Sequence, residues 1–153
     1  MNPDMDQISK LQAERLATTE VDIQKPLPAG VYADIEKRGI SARTCRLYDY
    51  QQGFYWKKPA HLAMVKGQDG QNCASHVRIL PKTIRWEPQG DASKGTQLFG
   101  QHIGSGNHLV ITEGEIDAMS VHQVLSKNRA SQKFVCASIP DGAQSAHKAC
   151  QEQ

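Results

Sequence analysis

His108-Leu109-Val110-Ile111-Thr112-Glu113-Gly114-Glu115-Ile116-Asp117-Ala118-Met119 is the stretch whose reading decides the fold. A short apolar run stops at three carboxylates packed into five residues. Like charges that close are costly unless a cation uses them. Leu109 to Ile111 reads as a buried strand, Gly114 as a tight turn, and Ile116 to Leu125 as a helix with Ala118, Val121 and Leu125 at helical spacing. Lys127, Asn128 and Arg129 suit the C-terminal end of that helix. Glu113 would then project from the C-terminal edge of the strand, which is where ligands sit in open α/β sheets.

Downstream, Phe134-Val135-Cys136-Ala137-Ser138-Ile139 supplies the parallel strand that a helical crossover demands, and Pro140 stops it. Asp141-Gly142 opens a second turn, with Asp141 placed to cap a helix over residues 143–150. The C-terminal part, from about residue 106, therefore reads as a β-α-β-α unit.

Upstream, the pattern between Gly53 and Phe99 is one of strands and turns. Residues 62–66 and 74–79 flank Gly67-Gln68-Asp69-Gly70, whose Asp-Gly pair signals a hairpin. Thr83 to Trp86 is a third run, ended by Pro88, and residues 89–95 read as an exposed loop. Alternation puts His76 and Arg78 on one face of the second strand and Val77 and Ile79 on the other. Before the sheet, Ile35 to Gly39 suggests a short helical turn closed by glycine, and Ser41 can cap another over 42–47. Residues 1–30 read as a helix with Met5, Ile8 and Leu11 at helical spacing, followed by a Pro26/Pro28/Gly30 linker. Three segments follow: 1–30, helix and linker; 31–105, a basic α+β subdomain with a small antiparallel sheet; 106–153, the β-α-β-α unit. The fold class is α/β.

Composition excludes several alternatives. At 39% hydrophobic and 22% charged over 153 residues, the chain can bury an ordinary core. No apolar run approaches the roughly 20 residues that span a membrane, and Met1-Asn2-Pro3-Asp4-Met5-Asp6 lacks the parts of a secretion signal, so a cytoplasmic location is expected. Cys45, Cys73, Cys136 and Cys150 form no CxxC pair, which supports neither a zinc site nor a disulfide framework and leaves reduced, structural thiols. Charge is uneven: residues 37–110 hold eleven basic and four acidic side chains, interleaved with Tyr48, Tyr50, Phe54, Tyr55, Trp56 and Trp86. That mixture suits a phosphate backbone with bases stacked nearby, and equally a solvated face of a small β domain.

Clustered carboxylates are hard oxygen ligands, and magnesium commonly bridges one or two of them to substrate phosphates. Glu115 and Asp117, in the first helical turn, could instead merely offset the helix dipole, whereas Glu113 ends the strand.

At these residues the chain resembles the first half of the TOPRIM fold as found in bacteriophage-type primases and primase-helicases. The resemblance is carried by Thr112-Glu113-Gly114-Glu115-Ile116-Asp117-Ala118 and by Ala137-Ser138-Ile139-Pro140-Asp141-Gly142-Ala143. Lys37-Arg38-Gly39-Ile40-Ser41 with Thr44-Cys45, His76-Val77-Arg78 and Leu98-Phe99-Gly100 resemble the basic subdomain of the same enzymes. It covers roughly residues 30–153, with the motifs in the expected order.

The resemblance implies that Glu113 is the catalytic acid and a magnesium ligand, that Asp117 supports it, and that Gly114 and Gly142 are turn positions. It also implies that Arg78 and Lys82 contact nucleotide or nucleic acid, and the charge pattern adds Arg85 and Lys94 from the same basic region. The implied activity is a DNA primase RNA-polymerase core, a nucleotidyltransferase that makes RNA primers in DNA replication. Its implied partners are a single-stranded DNA template, ribonucleoside triphosphates, and a helicase or the remainder of the primase, in a host cytoplasm.

Two departures are expected to matter. No Asp-x-Asp motif follows Asp117, so the magnesium site would be incomplete and autonomous catalysis absent, and no cysteine pattern builds the N-terminal zinc domain of the family. A two-stranded parallel unit would also leave an edge exposed, which predicts self-association. The alternatives are a non-catalytic, phage-derived protein that binds nucleic acid or a host protein partner, and, less favoured, a TOPRIM-like nuclease fragment.

Overall fold

The computed structural model describes residues 26–81, 83–87, 97–128, 133–139 and 142. The helices expected near the N-terminus and over residues 143–150 therefore lie outside the described residues, as do Lys82, Lys94 and Asp141.

The described chain is α/β. Five strands, β1 (Gly30–Val31), β2 (Tyr50–Tyr55), β3 (Lys58–Lys66), β4 (Asn72–Ile79) and β5 (Thr83–Glu87), form an antiparallel meander in chain order. A short helix, α1 (Ala42–Leu47), precedes β2 and begins at Ser41, whose hydroxyl accepts from the Thr44 backbone N–H at 3.3 Å. The turn before it, Glu36–Arg38, closes on Gly39 at φ 63°. Strand β6 (His108–Thr112), helix α2 (Glu115–Lys127) and strand β7 (Phe134–Ser138) form the crossover unit, with β6 and β7 parallel and Val110 opposite Cys136.

The Asp69-Gly70 turn joins β3 and β4 as expected, with the Asp69 side chain accepting from the Gln71 N–H. The sheet starts earlier than the expected onset at Gly53, because β2 begins at Tyr50. Its polar sequence, Tyr-Gln-Gln-Gly-Phe-Tyr, hides the alternation. The β2–β3 turn was also not anticipated: Trp56 and Lys57 take φ 49° and 63°, the left-handed pair of a tight hairpin, without the Asn-Gly or Asp-Gly that usually marks one. Trp56 stacks on Tyr55 and lies under the Arg85 guanidinium, contacts that offset the backbone cost.

Register divides the sheet into two faces. One carries Tyr50, His61, Ala63, His76 and Arg78; the other carries Tyr55, Ala60, Leu62, Met64, Val77 and Ile79. The second face holds its own core, with Leu27 packed against it. On the first face Tyr50 and Ala63 pack with Tyr48, Phe99 and the Ala118 and Met119 side chains of α2. One hydrophobic cluster thus takes residues from both sides of position 105. Fully burying a large apolar side chain contributes about 1.5–3 kcal/mol, so Tyr48 and Met119 are strong joints between meander and crossover unit. The Tyr48 hydroxyl donates to the Cys136 carbonyl at 2.9 Å, and Phe99 bridges Ser138 of β7 with two backbone hydrogen bonds.

Gln123 makes a further joint. Its amide donates to the Gly39 carbonyl at 2.6 Å, while its oxygen accepts from the Ser41 N–H and the Thr44 hydroxyl, each at 2.8 Å. Both ends of α1's N-terminal turn are thereby tied to α2.

Candidate functional site

Glu113 follows the last residue of β6, where the apolar run of the strand ends and Gly114 turns the chain into α2. It is exposed at the C-terminal edge of the parallel pair. Gly142 lies against it: a Cβ there would sit 3.5 Å from Glu113 Oε1, and the residue's φ of 72° is one that L side chains rarely adopt. Asp117, also exposed, lies in the first turn of α2, and its Oδ2 lies 3.6 Å from where a Gly114 Cβ would be. Glu113, Gly114, Asp117 and Gly142 therefore lie at one edge.

Glu115 departs from the dipole reading. Its carboxylate leaves the acidic edge and meets His76 Nδ1 of β4 at 2.5 Å, with both side chains largely buried. Burial works to push the Glu115 carboxyl up, but the His76 hydrogen bond and charge, together with its own backbone N–H and the Arg78 guanidinium, outweigh it and hold the carboxyl below its ordinary range. His76 in turn stacks on Trp86, centroids 4.6 Å apart and planes 25° from parallel.

Along the same face, Arg78 stands opposite His61, and the Tyr50 hydroxyl shares a 3.0 Å hydrogen bond with His61 Nδ1. Burial and then Arg78 lower the His61 pKa, favouring the neutral ring, while burial and the Glu115 charge raise that of Tyr50. A groove of about 510 Å³ runs past His61 and Arg78, lined by Lys37 and Arg38 but also by the carboxylates Asp34 and Glu36. Lys37 and Arg38 had no assigned role in the sequence; the groove places them beside Arg78.

Not all the basic residues share that face. Arg85 pairs with Val77 across β4 and β5, on the face opposite Arg78, and is engaged with Trp56. A single surface containing both Arg78 and Arg85 is thus not formed. Sequence reasoning gave His61 no role and did not foresee the His76–Glu115 and Tyr50–His61 pairings. His76 and Arg78 were legible as one face of a strand; their partner on α2 was not, being 39 residues away.

Glu113 and Asp117 are the exposed carboxylates of this edge, and carboxylate oxygens are the hard donors that magnesium takes. Among the described residues the cysteines Cys45, Cys73 and Cys136 are free thiols, two of them buried. No helix among the described residues is long and apolar enough to cross a membrane.

The chain is 31% identical over 122 residues to the DNA helicase/primase of Enterobacteria phage T3, an alignment covering 79% of this chain and 20% of that protein. It spans about a fifth of the length of that curated relative. Its structure matches the primase fragment of the bacteriophage T7 primase-helicase with a TM-score of 0.63 and 27% identity, covering 90% of this chain and 57% of the fragment. It also matches a chain of the complex of bacteriophage T7 lagging-strand DNA polymerase with primase domains bound to an RNA/DNA hybrid and dTTP (TM-score 0.61, 29% identity, 78% of this chain and 50% of that one). No protein-family model matches the chain.

Proposed function

We propose that this phage-type DNA primase region forms one side of a TOPRIM nucleotidyltransferase site that makes RNA primers on a single-stranded DNA template. The observation that carries the reading is the juxtaposition of the exposed Glu113 edge with the basic face holding Arg78, joined through Glu115.

In this reading Glu113 and Asp117 would hold magnesium. The bound ion would supply charge neutralisation at the triphosphate. Arg78, with Lys37 and Arg38 across the groove, would bind and orient phosphate oxygens, and none of the three has a carboxylate salt bridge among the described residues. Glu113 would also stand where a proton leaves the attacking 3′-hydroxyl as its oxygen bonds to the α-phosphorus and pyrophosphate departs. Gly142 leaves room beside the carboxylate. Lys82 and Lys94, in the same basic region of sequence, extend the proposed nucleotide contacts; Arg85 would serve a separate, opposite surface.

The partners fit this role: a DNA template, ribonucleoside triphosphates, and the other parts of a replication machine such as a helicase. The Leu109 and Ile111 side chains of β6, expected to be buried, are instead exposed, and would offer a surface for a protein partner or for self-association.

Glu113→Gln tests the reading. In the full-length protein, magnesium-dependent dinucleotide synthesis should fall at least about a hundredfold, with DNA binding retained. Unimpaired synthesis in the variant refutes the assignment. Binding of single-stranded DNA by the wild type without synthesis, even with the remainder of a phage-type primase supplied, would favour instead a non-catalytic nucleic-acid-binding role.

A further inference from the structure

The helix that follows Glu113 starts without a side-chain cap. Its N-cap is Gly114, in extended conformation, which offers no oxygen to the free N–H groups of the first turn. A glycine joint between a catalytic carboxylate and an uncapped helix would leave that carboxylate poorly fixed. The first residue of the helix, Glu115, supplies the missing restraint through a distant partner. Its Oε1 is 2.5 Å from His76 Nδ1, and the pair is sheltered from solvent. His76 is itself held on both sides, by backbone pairing with Ala63 and Trp86 in the middle of the meander and by stacking on the Trp86 ring. Arg78, on the same strand face, adds attraction for Glu115.

We propose that His76 and Glu115 form a positioning latch, which fixes the Glu113 edge relative to the basic sheet and withdraws Glu115 from the ligand set of that edge. The role rests on the reading of Glu113 as a metal-binding catalytic acid. His76 and Glu115 touch neither substrate nor metal; they act through the two-residue link from Glu115 back to Glu113. The sheet to which they anchor it is the one that presents Arg78, so this hydrogen bond, added to the packing of α2 on Tyr48 and Phe99, holds the carboxylate edge against the cation.

The test uses Mn²⁺ as the probe, with free ion followed by electron paramagnetic resonance in the intact protein. His76→Leu should weaken Mn²⁺ binding about tenfold, the lower end of what is lost when the partners of metal ligands are removed. His76→Gln, whose amide can still donate to Glu115, should restore most of the affinity. Met64→Ala, in the core of the opposite sheet face, serves as a control for general loss of stability and should leave binding unchanged. Wild-type affinity in His76→Leu, or an equal loss in Met64→Ala, overturns the latch. If instead Glu113→Gln leaves wild-type Mn²⁺ binding unaltered, the catalytic-acid reading fails and the latch falls with it. A failure of the latch alone differs, because Glu113→Gln then abolishes binding while His76→Leu does not.

Discussion

Gly100→Ala should be among the most damaging single-methyl changes in the molecule. Gly100 has φ 87°, and a Cβ built on it would lie 2.5 Å from Tyr48 Cε1 and 2.7 Å from the Cys136 carbonyl oxygen. The left-handed backbone costs a non-glycine residue about 1–2 kcal/mol. Relieving the overlap adds about 1–3 kcal/mol, since one neighbour is main chain and the other a fully buried ring tied by its hydroxyl to that same carbonyl. The total of roughly 2–5 kcal/mol is a large part of a typical domain's stability. At about 2–4 °C per kcal/mol, the midpoint of thermal unfolding should drop by about 4–20 °C. Gly70→Ala separates the two contributions: Gly70 has φ 78° but nothing within 4 Å of its would-be Cβ, so it should lose only the conformational part. Urea unfolding followed by circular dichroism measures both. Equal losses in the two variants would refute the packing argument and, with it, the close joint between the Leu98-Phe99-Gly100 segment and β7.

Asp49 accepts from the Tyr32 hydroxyl at 2.7 Å, Gln51 at 3.0 Å and Asn72 at 2.8 Å, and lies 3.6 Å from Lys66 Nζ. Burial works to raise its pKa, but those partners together lower it. A depressed folded-state pKa gives stability that is present above the unfolded value near 4 and lost as pH falls through the lower folded one. Asp49→Asn should therefore cost about 1–3 kcal/mol at pH 7 and flatten the acid limb of a stability–pH profile; an unchanged limb contradicts this. Gln123→Ala removes three partly exposed hydrogen bonds and should cost about 1–3 kcal/mol in urea melts, a loss under about 0.5 kcal/mol counting against the α1–α2 tie. In fluorescence anisotropy with single-stranded DNA, Arg78→Ala should weaken binding and flatten the log–log salt dependence by about 0.7, whereas Arg85→Ala should do so little at the same site. Equal effects of the two would place the strand across both sheet faces.

Local chemistry was legible in the sequence. Ser41 caps α1, Gly39 closes the preceding turn, Asp69-Gly70 makes its hairpin, and the apolar run before Glu113 is a strand that turns at Gly114 into a helix. Each of these is decided within a few residues by a side-chain oxygen, a left-handed glycine or a period of alternation. What escaped was decided at a distance or by compensation. Trp56 and Lys57 occupy left-handed backbone because stacking on Tyr55 and Arg85 makes the turn affordable, which no turn residue announces. Glu115 sat where a helix dipole explains an acid well enough, and only folding brings His76 to it.

The same distinction governs the charge map. Eleven basic residues between positions 37 and 110 look like one electrostatic footprint when counted along the chain. In a sheet, however, side chains one residue apart point to opposite faces, and register decides which strands contribute to each. Arg78 and Arg85 differ by an odd number of positions around a tight turn, and pairing of Val77 with Arg85 sends them to different faces. Lys37 and Arg38, distant in sequence, reach the Arg78 groove because α1 and its preceding turn are tied to α2 through Gln123. The cationic surface that faces Glu113 is therefore smaller than composition suggests, and it is assembled by the joints to α2. Loosening those joints should disperse it even with every basic residue retained, so Gln123→Ala should lower the single-stranded DNA affinity of the Arg78 face without changing net charge. Unchanged affinity in that variant, with the α1–α2 tie shown lost, would sink this account of how the face is built.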